Sequence, residues 1–380
     1  WQRWDPIVQG RTQIRAVPPD RVGQAVVVMQ ELLRLKSLAA DSDWGDFAVL
    51  ARNRATLDPF RAWCHQNNVG YGISDKESSG PRFFQTREAC LLLDMLRSKP
   101  HRRLRSRGLM RWFEMRFAGQ YHDNPWLNLL GLFVEELFCI WGDIPLPSST
   151  ITDELHEFGA DAVRSDRGRL TLSTVHSAKG REFKHVVILD GLDWTSSSDD
   201  ERRLYYVGMT RARENLILCQ SASASNPFSE GINGNGVIRF PLAATVTRPE
   251  ALALKYFTLG LADVDLGYAG RLEEQHRIHR VLADLTHGEK LQIFHTKRVE
   301  IRVPSSELSI GALAKKFKMP EGRLVEARLD TLVRRYKKQS APGFAERMRV
   351  EHWYVPLVTL IILPEAETRQ RAAPEFLTAG

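Results

Sequence analysis

The sequence has few cysteines and no long uninterrupted apolar run, and both absences narrow the class of protein. Its four cysteines lie far apart among 380 residues, without a CxxC pair or a Cys/His cluster at metal-ligand spacing. We therefore predict neither a metal site nor a disulfide framework. The longest apolar segment, residues 127–141, is interrupted by Glu135 and Glu136, which favours a buried or amphipathic helix over a membrane span. No signal peptide opens the chain, and we expect a cytoplasmic protein without a membrane partner.

The sequence also lacks a phosphate-cradling GxxxxGK[ST] motif. Lys179 and Gly180 stand together, but in the wrong order and with the wrong flanks for such a loop. No acidic pair suited to Mg²⁺ follows a predicted strand. We therefore expect that this chain alone does not hydrolyse ATP. Because the chain begins at Trp1 rather than methionine, we also expect it to be a portion of a longer protein.

The charge balance is basic, and this favours an anionic partner. Lysine and arginine number 53 against 46 acidic residues, which gives a net charge of +7 and a pI near 9.3. Such a surplus suits nucleic acid, although a basic surface in contact with solvent alone would give the same composition. The length is sufficient for two or three domains, each with its own core.

Most of the functional signal lies between residues 170 and 220. Residues 170–175 alternate as a strand, a polar loop follows, and residues 185–189 form an apolar run typical of a buried strand. Acidic residues at 199–201 open a helical stretch, where the helix dipole favours them. Residues 215–219 close the region as another apolar strand. This order predicts polar motifs at the edge of a parallel sheet.

Two motifs in this region resemble those of a known enzyme class. Residues 174–183, TVHSAKGREF, resemble motif V of the UvrD/Rep-like superfamily 1A DNA helicases, and residues 202–213, RRLYYVGMTRAR, resemble motif VI. Both occur in the family's order, which makes the pair a stronger signal than either alone. The resemblance implies an α/β fold, namely the second RecA-like domain of an ATP-dependent DNA helicase.

An upstream region resembles motif IV of the same helicases. A strand at residues 46–50 leads into Ala51 and Arg52, and a helix is predicted over residues 56–67. The resemblance implies that Arg52 reaches ATP. Relatives commonly have a tyrosine at the position of Ala51, where it stacks on adenine, so we expect base stacking here to be weaker or to come from elsewhere.

The resemblance also assigns nucleotide-binding roles to individual side chains. It implies that Arg52 and Arg211 act as catalytic arginines at the γ-phosphate, a task suited to a planar and permanently charged guanidinium. It places Glu182 at the nucleotide sugar and Gly180 in a tight turn nearby. The implied cofactors are ATP and Mg²⁺, held mainly by a first RecA-like domain that is missing from this chain and is its expected partner.

A second group of side chains is expected to contact single-stranded or duplex DNA. By resemblance, Thr174 and His176 touch the DNA backbone. A dense basic stretch at residues 97–107 carries too many like charges to be stable without an anion, and DNA phosphates are the candidate anion. A loop exposed only to solvent is the open alternative for this stretch. The DNA-binding candidates in it are Lys99, Arg102, Arg103, Arg105 and Arg107.

The composition along the chain predicts several segments. We expect a linker or edge segment, a RecA-like helicase domain 2A in two pieces, a reduced helical 2B-like insertion whose aromatic residues are mainly core, a stretch of linker and helices, and a β-rich accessory domain whose basic stretches are compatible with nucleic-acid binding. In that order, their boundaries are 1–19, then 20–96 with 169–220, then 97–168, 221–289 and 290–380. Within the linker and helices, residues 250–261 and 272–285 are predicted to be helical.

Three functions compete at this point. The first is the C-terminal half of a helicase that couples ATP hydrolysis to translocation on single-stranded DNA and to unwinding in repair or recombination, with the 3′ to 5′ polarity of its class. The second is a non-catalytic DNA-binding or scaffolding module that keeps the helicase fold. The third is a helicase-linked nuclease, for which Asp263 and Asp265 are the only carboxylates of interest and no Glu-x-Lys follows them.

Overall fold

The fold is described from a computed structural model of the chain. The described residues are 12–38, 42–73, 81–98, 101–117, 124–164, 168–190, 194, 198–223, 226–234, 236–242 and 245–364, without the side chains of 160–164. The α-helices in this part of the chain are α1 (Arg21–Leu38), α2 (Asp58–Gln66), α3 (Arg87–Arg97), α4 (Ser106–Phe117), α5 (Pro125–Trp141), α6 (Ser148–Arg164), α7 (Asp199–Met209), α8 (Arg277–Asp284) and α9 (Pro342–Ala345).

The strands of the described residues form two large sheets and one two-stranded ribbon. They are β1 (Thr12–Val17), β2 (Phe47–Ala51), β3 (Tyr71–Ile73), β4 (Arg103–Arg105), β5 (Pro145–Pro147), β6 (Leu170–Thr174), β7 (Phe183–Ile188), β8 (Ala212–Ser221), β9 (Val237–Phe240), β10 (Lys255–Thr258), β11 (Lys290–His295), β12 (Val299–Val303), β13 (Leu308–Ala312), β14 (Arg323–Tyr336) and β15 (His352–Leu363).

The chain divides into two compact units. The first comprises the described residues of Trp1–Glu77 and Ser165–Lys255, and the second those of Ser78–Arg164 and Tyr256–Gly380. This division differs from the predicted boundaries, since α3 was expected in the helicase domain and lies in the second unit. The second unit also holds both the helical insertion and the C-terminal strands, which the sequence analysis treated as separate domains.

The first unit is built on a seven-stranded sheet in the order β3-β6-β2-β7-β8-β1-β9. Every neighbouring pair is parallel. Alternate residues of β2 point to opposite faces, so Phe47 and Val49 pack with α1 and α2, whereas Leu50 packs on the face that carries α7. Helices on both faces of a parallel sheet make this an α/β unit consistent with a RecA-like helicase domain.

The strand β1 corrects part of the linker assigned to residues 1–19. Residues 12–17 pair with both β8 and β9 and therefore lie inside the sheet. Ile14 and Val17 are buried in the cores of opposite faces. The segment is too short and too mixed in polarity for its own pattern to reveal a strand, because its partners come from more than 200 residues further along the chain.

The helical part of the second unit has an aromatic core, as predicted for Phe113, Phe117 and Phe133, which are all at most 8 % exposed. These rings pack with apolar residues of α3, α5 and α6. At the carboxyl end of α5, however, Trp141 is 37 % exposed, so the expectation of a core role is wrong for this residue. The insertion is therefore a small packed bundle with one apolar surface left at the end of α5.

The second large sheet runs in the order β10-β15-β14-β11-β12-β13. The long strands β14 and β15 pair along almost their whole lengths. The helix predicted over 250–261 is wrong, because Glu250–Ala253 is a single 3-10 turn and Lys255–Thr258 is the edge strand β10. Two aromatic residues in β10, Tyr256 and Phe257, suit a half-buried strand surface better than a helix. The helix predicted over 272–285 is shorter, since α8 starts at Arg277 after a cap by His276.

Ion pairs and backbone contacts join α3, which precedes the helical insertion, to the C-terminal part of the second unit. Arg334 of β14 lies 2.6 Å from the Asp94 carboxylate on α3 and also donates to the Tyr354 hydroxyl. Arg87 donates to the carbonyl oxygen of Leu285. Because these partners are distant in sequence, local patterns could not predict that the two segments share a unit. No helix among the described residues is long and apolar enough to cross a membrane.

Candidate functional site

A crossover loop, residues 175–182, connects two parallel strands of the first unit. It leaves the carboxyl end of β6 and must return to the amino end of β7, because both strands run in the same direction. Thr174 closes the start of the loop, since its carbonyl oxygen accepts from the backbone N–H groups of Ser177 and Ala178 at 3.1 Å. Its hydroxyl also donates to the Ser177 hydroxyl at 3.1 Å. The loop thus runs from the carboxyl ends of the parallel strands, which form the carboxyl edge of the sheet, to their amino ends, which form its amino edge.

One side of the loop packs against the sheet, and the other side is exposed to solvent. Val175 and Ala178 are fully buried against the sheet, whereas His176 and Glu182 are exposed. Within the described part of the chain, no residue forms a hydrogen bond with the side chain of His176 or Glu182. Gly180 adopts φ +81°, a left-handed conformation that disfavours other residues even though a Cβ there would meet no atom within 4 Å. The glycine is therefore required by the turn itself.

The helix α7 packs on this loop. It begins after Ser198, whose hydroxyl accepts from the Glu201 backbone N–H, and its first turn is acidic. At its other end, a Cβ on Gly208 would lie 3.0 Å from Ile188 and 3.3 Å from Val175. A side chain at this position would require Ile188 and Val175 to move by a few tenths of an ångström, so glycine favours the close approach of the helix. The motif VI helix is thus seated directly on the motif V loop.

Arg211 follows α7 and is held by three neutral acceptors. Its Nε donates to the Val207 carbonyl at 2.9 Å, one terminal nitrogen donates to the Arg181 carbonyl at 3.1 Å, and the other donates to the Thr210 hydroxyl at 2.9 Å. No carboxylate among the described residues pairs with it. The guanidinium is therefore oriented by motifs V and VI together, while its positive charge is not neutralised by a fixed anion.

Arg52 follows β2 and has a different environment. Its Nε and one terminal nitrogen donate to the two carboxylate oxygens of Glu201 at 2.9–3.1 Å, a bidentate ion pair. Glu201 was not among the predicted site residues. The acidic first turn of the helix was visible in the sequence, but only the fold brings it to an arginine 149 residues away.

The predicted site residues lie at two edges of the sheet. Arg52 follows β2 and the predicted DNA contact Thr174 ends β6 at the carboxyl edge, whereas Glu182 and Arg211 precede β7 and β8 at the amino edge. Arg52 contacts the first turn of α7, and Arg211 contacts its last turn. An 11-residue helix is roughly 16 Å long, so the structure does not place the two guanidinium groups side by side.

A buried histidine supports the amino edge from within the sheet. His185 of β7 packs against the Phe47 ring, with centroids 4.5 Å apart, and its Nδ1 accepts from the Asn215 amide at 2.9 Å. Burial lowers the pKa of His185 below its usual value, against the opposing effect of the nearby carboxylates of Glu214 and Asp46. The imidazole is therefore held neutral, which fits a structural role.

The predicted DNA-binding arginines belong to the second unit and surround the ribbon of β4 and β5. Arg103 and Arg105 flank the partly buried Leu104, so both project from the exposed side of β4. Arg105 lies 3.6 Å from the Asp143 carboxylate. Arg102 and Arg107 are also exposed. Lys99 lies outside the described residues.

The described residues contain no group of three or more His, Cys, Asp or Glu side chains placed to hold a metal ion. Among the described acidic side chains, Glu201 contacts the predicted nucleotide residue Arg52 and forms an ion pair with it. The cationic and exposed groups at the amino edge fit an anionic, hydroxyl-bearing ligand such as a nucleotide better than a bare cation.

Comparison with known proteins identifies the first unit's motif region. A family model for the UvrD-like helicase C-terminal domain matches residues 169–219. The chain is 39 % identical over 84 residues to the ATP-dependent DNA helicase UvrD1 of Mycobacterium tuberculosis, which covers 20 % of this chain and 10 % of that protein. It is 29 % identical over 129 residues to the ATP-dependent DNA helicase srs2 of Schizosaccharomyces pombe, 30 % of this chain and 14 % of that protein.

A third relative is the putative ATP-dependent DNA helicase YjcD of Bacillus subtilis, 36 % identical over 78 residues, which are 17 % of this chain and 10 % of that protein. The predicted resemblance to the C-terminal portion of UvrD-like helicases is thereby confirmed. The matches to these three relatives span only 10–14 % of their lengths.

Proposed function

We propose that the first unit is the second RecA-like domain of an ATP-dependent DNA helicase. In this proposal a P-loop domain of the same polypeptide binds ATP and Mg²⁺, and the present unit closes on the nucleotide and grips single-stranded DNA. Hydrolysis then drives translocation and unwinding in repair or recombination. The proposal rests on the family match of residues 169–219 and on one geometric feature, the environment of Arg211.

Arg211 has the properties that a γ-phosphate requires. Its three neutral acceptors fix the orientation of the guanidinium, and a neutral acceptor leaves the full positive charge available to an anion. One of those acceptors is the carbonyl of Arg181, the residue next to Glu182. A nucleotide bound at Arg211 would therefore have the exposed Glu182 carboxylate nearby as an acceptor for a sugar hydroxyl.

The crossover loop connects the residues proposed to contact DNA with the residue proposed to contact the nucleotide sugar. Thr174 and His176 stand at its start on the carboxyl edge of the sheet, and Glu182 stands at its end on the amino edge. Since Val175 and Gly208 are in direct contact range, a shift of α7 on nucleotide binding must move the DNA-facing end of the loop. Coupling of this kind needs one bistable element that both ligands contact.

The test is DNA-stimulated ATP hydrolysis by the full-length polypeptide. Arg211→Ala should reduce the stimulated rate on the order of a thousandfold, as loss of an arginine finger does. Arg213→Ala is the matched control, because Arg213 is exposed and lies two residues away on β8. Equal rates for wild type and Arg211→Ala would refute a role of Arg211 at the phosphate.

One observation favours the second candidate, a DNA-binding module without turnover. Arg52 is already neutralised by Glu201, and Ala51 offers no ring for adenine. Both features weaken nucleotide binding at the carboxyl edge. Full-length protein that binds single-stranded DNA yet hydrolyses no ATP under any DNA condition would establish this alternative.

A further inference from the structure

The helical insertion has an unusual segregation of charge. Residues 97–116 contain eight lysines and arginines and a single acidic residue, Glu114. Residues 117–163 contain eight acidic residues and neither lysine nor arginine. The chain as a whole carries a net charge of +7, so an acidic stretch of this length is not its average composition. The basic and the acidic stretch of the insertion therefore suit ligands of opposite charge.

The acidic half forms a groove, and this acidic groove lies between α5 and α6. It encloses about 150 Å³, and its lining combines apolar side chains with carboxylates. The apolar lining comes from Phe133, Leu137, Ile140 and Phe158, and the rim includes Glu154 and Glu157.

Exposed apolar residues also lie on α5 and just beyond it. Ile140 is 58 % exposed and Leu132 is 40 % exposed, with Glu136 between them. Ile144, just beyond the helix, is 49 % exposed. A single exposed apolar residue needs no explanation, but several near a concave, polar-rimmed site are typical of an interaction surface.

A hydrogen bond holds one of the rim carboxylates, that of Glu154, in place. The Trp141 indole donates to the Glu154 carboxylate at 3.0 Å, which holds this group at the end of α5. Within the described residues, no lysine or arginine pairs with Glu154 or Glu157. Their negative charge would repel DNA phosphates, so a ligand of this face has to bring its own cations.

We propose that the acidic groove binds a basic, amphipathic segment of a partner protein. An apolar side chain of that segment inserts beside Ile140, and its lysines or arginines reach Glu154 and Glu157. A helix with an apolar stripe flanked by cations satisfies both requirements, because its side chains repeat at the same spacing as those of α5. This binding needs no nucleotide and is independent of the proposed ATP chemistry.

Synthetic peptides titrated against the full chain test the proposal by fluorescence anisotropy. The probe is a labelled amphipathic peptide of about 18 residues with leucines on one stripe and lysines or arginines beside it. A composition-matched shuffle and a peptide with glutamate in place of each cation should both bind at least tenfold more weakly.

Variants of the groove locate the binding. Ile140→Ser removes apolar contact without a change in charge, and Glu157→Lys reverses one rim charge; each should weaken the probe about tenfold. Both side chains are exposed, so the fold should tolerate the changes. The matched control is Glu114→Lys on α4, the same charge reversal outside the groove, which should leave the affinity unchanged.

Three results would overturn the proposal. The first is an equal loss of affinity for the probe with Glu114→Lys and with Glu157→Lys, which would mean that the probe binds by general charge attraction. The second is unchanged binding of the probe by Ile140→Ser. The third is binding of a labelled DNA duplex to the chain with an affinity that Glu157→Gln lowers, since this face would then bind nucleic acid.

Discussion

The two edges of the parallel sheet hold two arginines in opposite electrostatic states. At the carboxyl edge, the Arg52 guanidinium shares its charge with both oxygens of Glu201. At the amino edge, Arg211 has only carbonyl and hydroxyl partners. A charge that is oriented but not neutralised is ready for an anionic ligand, whereas a paired charge must first give up its partner. Under the proposed function, the comparison favours Arg211 over Arg52 as the primary phosphate contact.

After the loss expected for Arg211→Ala, the next largest effect should come from Arg211→Lys, which keeps the positive charge and removes the planar guanidinium fork. A lysine ammonium on a flexible stem cannot contact the Val207 carbonyl, the Arg181 carbonyl and a phosphate in one fixed geometry. We expect DNA-stimulated ATP hydrolysis to fall by roughly a hundredfold. Arg213→Lys is the control; near-normal hydrolysis by Arg211→Lys would mean that charge alone suffices at this edge.

The loop that joins the two edges can be tested through its one left-handed residue. Gly180→Ala should destabilise the crossover loop by about 1–2 kcal/mol, because an L-residue is strained at φ +81° although space is available. Faster hydrogen exchange in residues 174–183 is the readout. Gly231→Ala is the matched control, since a Cβ there also meets nothing within 4 Å and its φ is not positive. Unchanged exchange in Gly180→Ala would show that the turn tolerates a side chain.

The ion pair at the carboxyl edge can be tested by removing the negative charge that neutralises Arg52. Glu201→Gln removes the negative charge from Arg52 and should lower the KM for ATP about threefold, a modest gain because both side chains are partly exposed. Asp200→Asn, one position earlier on the exposed side of α7, should leave the KM unchanged. A higher KM in Glu201→Gln would instead mean that the carboxylate positions Arg52 for the nucleotide.

The strands of this site were predictable, and their arrangement was not. The apolar runs at 46–50, 170–175, 185–189 and 215–219 correspond to β2, β6, β7 and β8, because buried strands leave a local pattern. Their order in the sheet depends on contacts between distant segments. The motif positions likewise gave Arg52 and Arg211, but the sequence could not reveal that one is paired with a carboxylate 149 residues away.

Outside the motifs, local patterns failed where tertiary packing decides. Residues 250–261 had enough alanine and leucine to favour a helix, yet the edge of the second sheet draws Lys255–Thr258 into a strand. The insertion and the C-terminal strands each appeared to be independent. They belong to one compact unit, in which the buried Arg334 binds Asp94 of α3 and Tyr354 of β15.

The smallest expected effect is the pH dependence of stability that arises from His185, which is buried near the amino edge. Burial lowers the pKa of His185 in the folded chain below the value of 6.5, so the unfolded chain binds its proton more readily. The contribution of His185 to stability is therefore complete above pH 6.5 and is lost as the pH falls from there through the folded pKa. His185→Gln should flatten the slope of unfolding free energy against pH in this window, whatever its absolute stability. An unchanged slope in His185→Gln would mean that another group binds the proton.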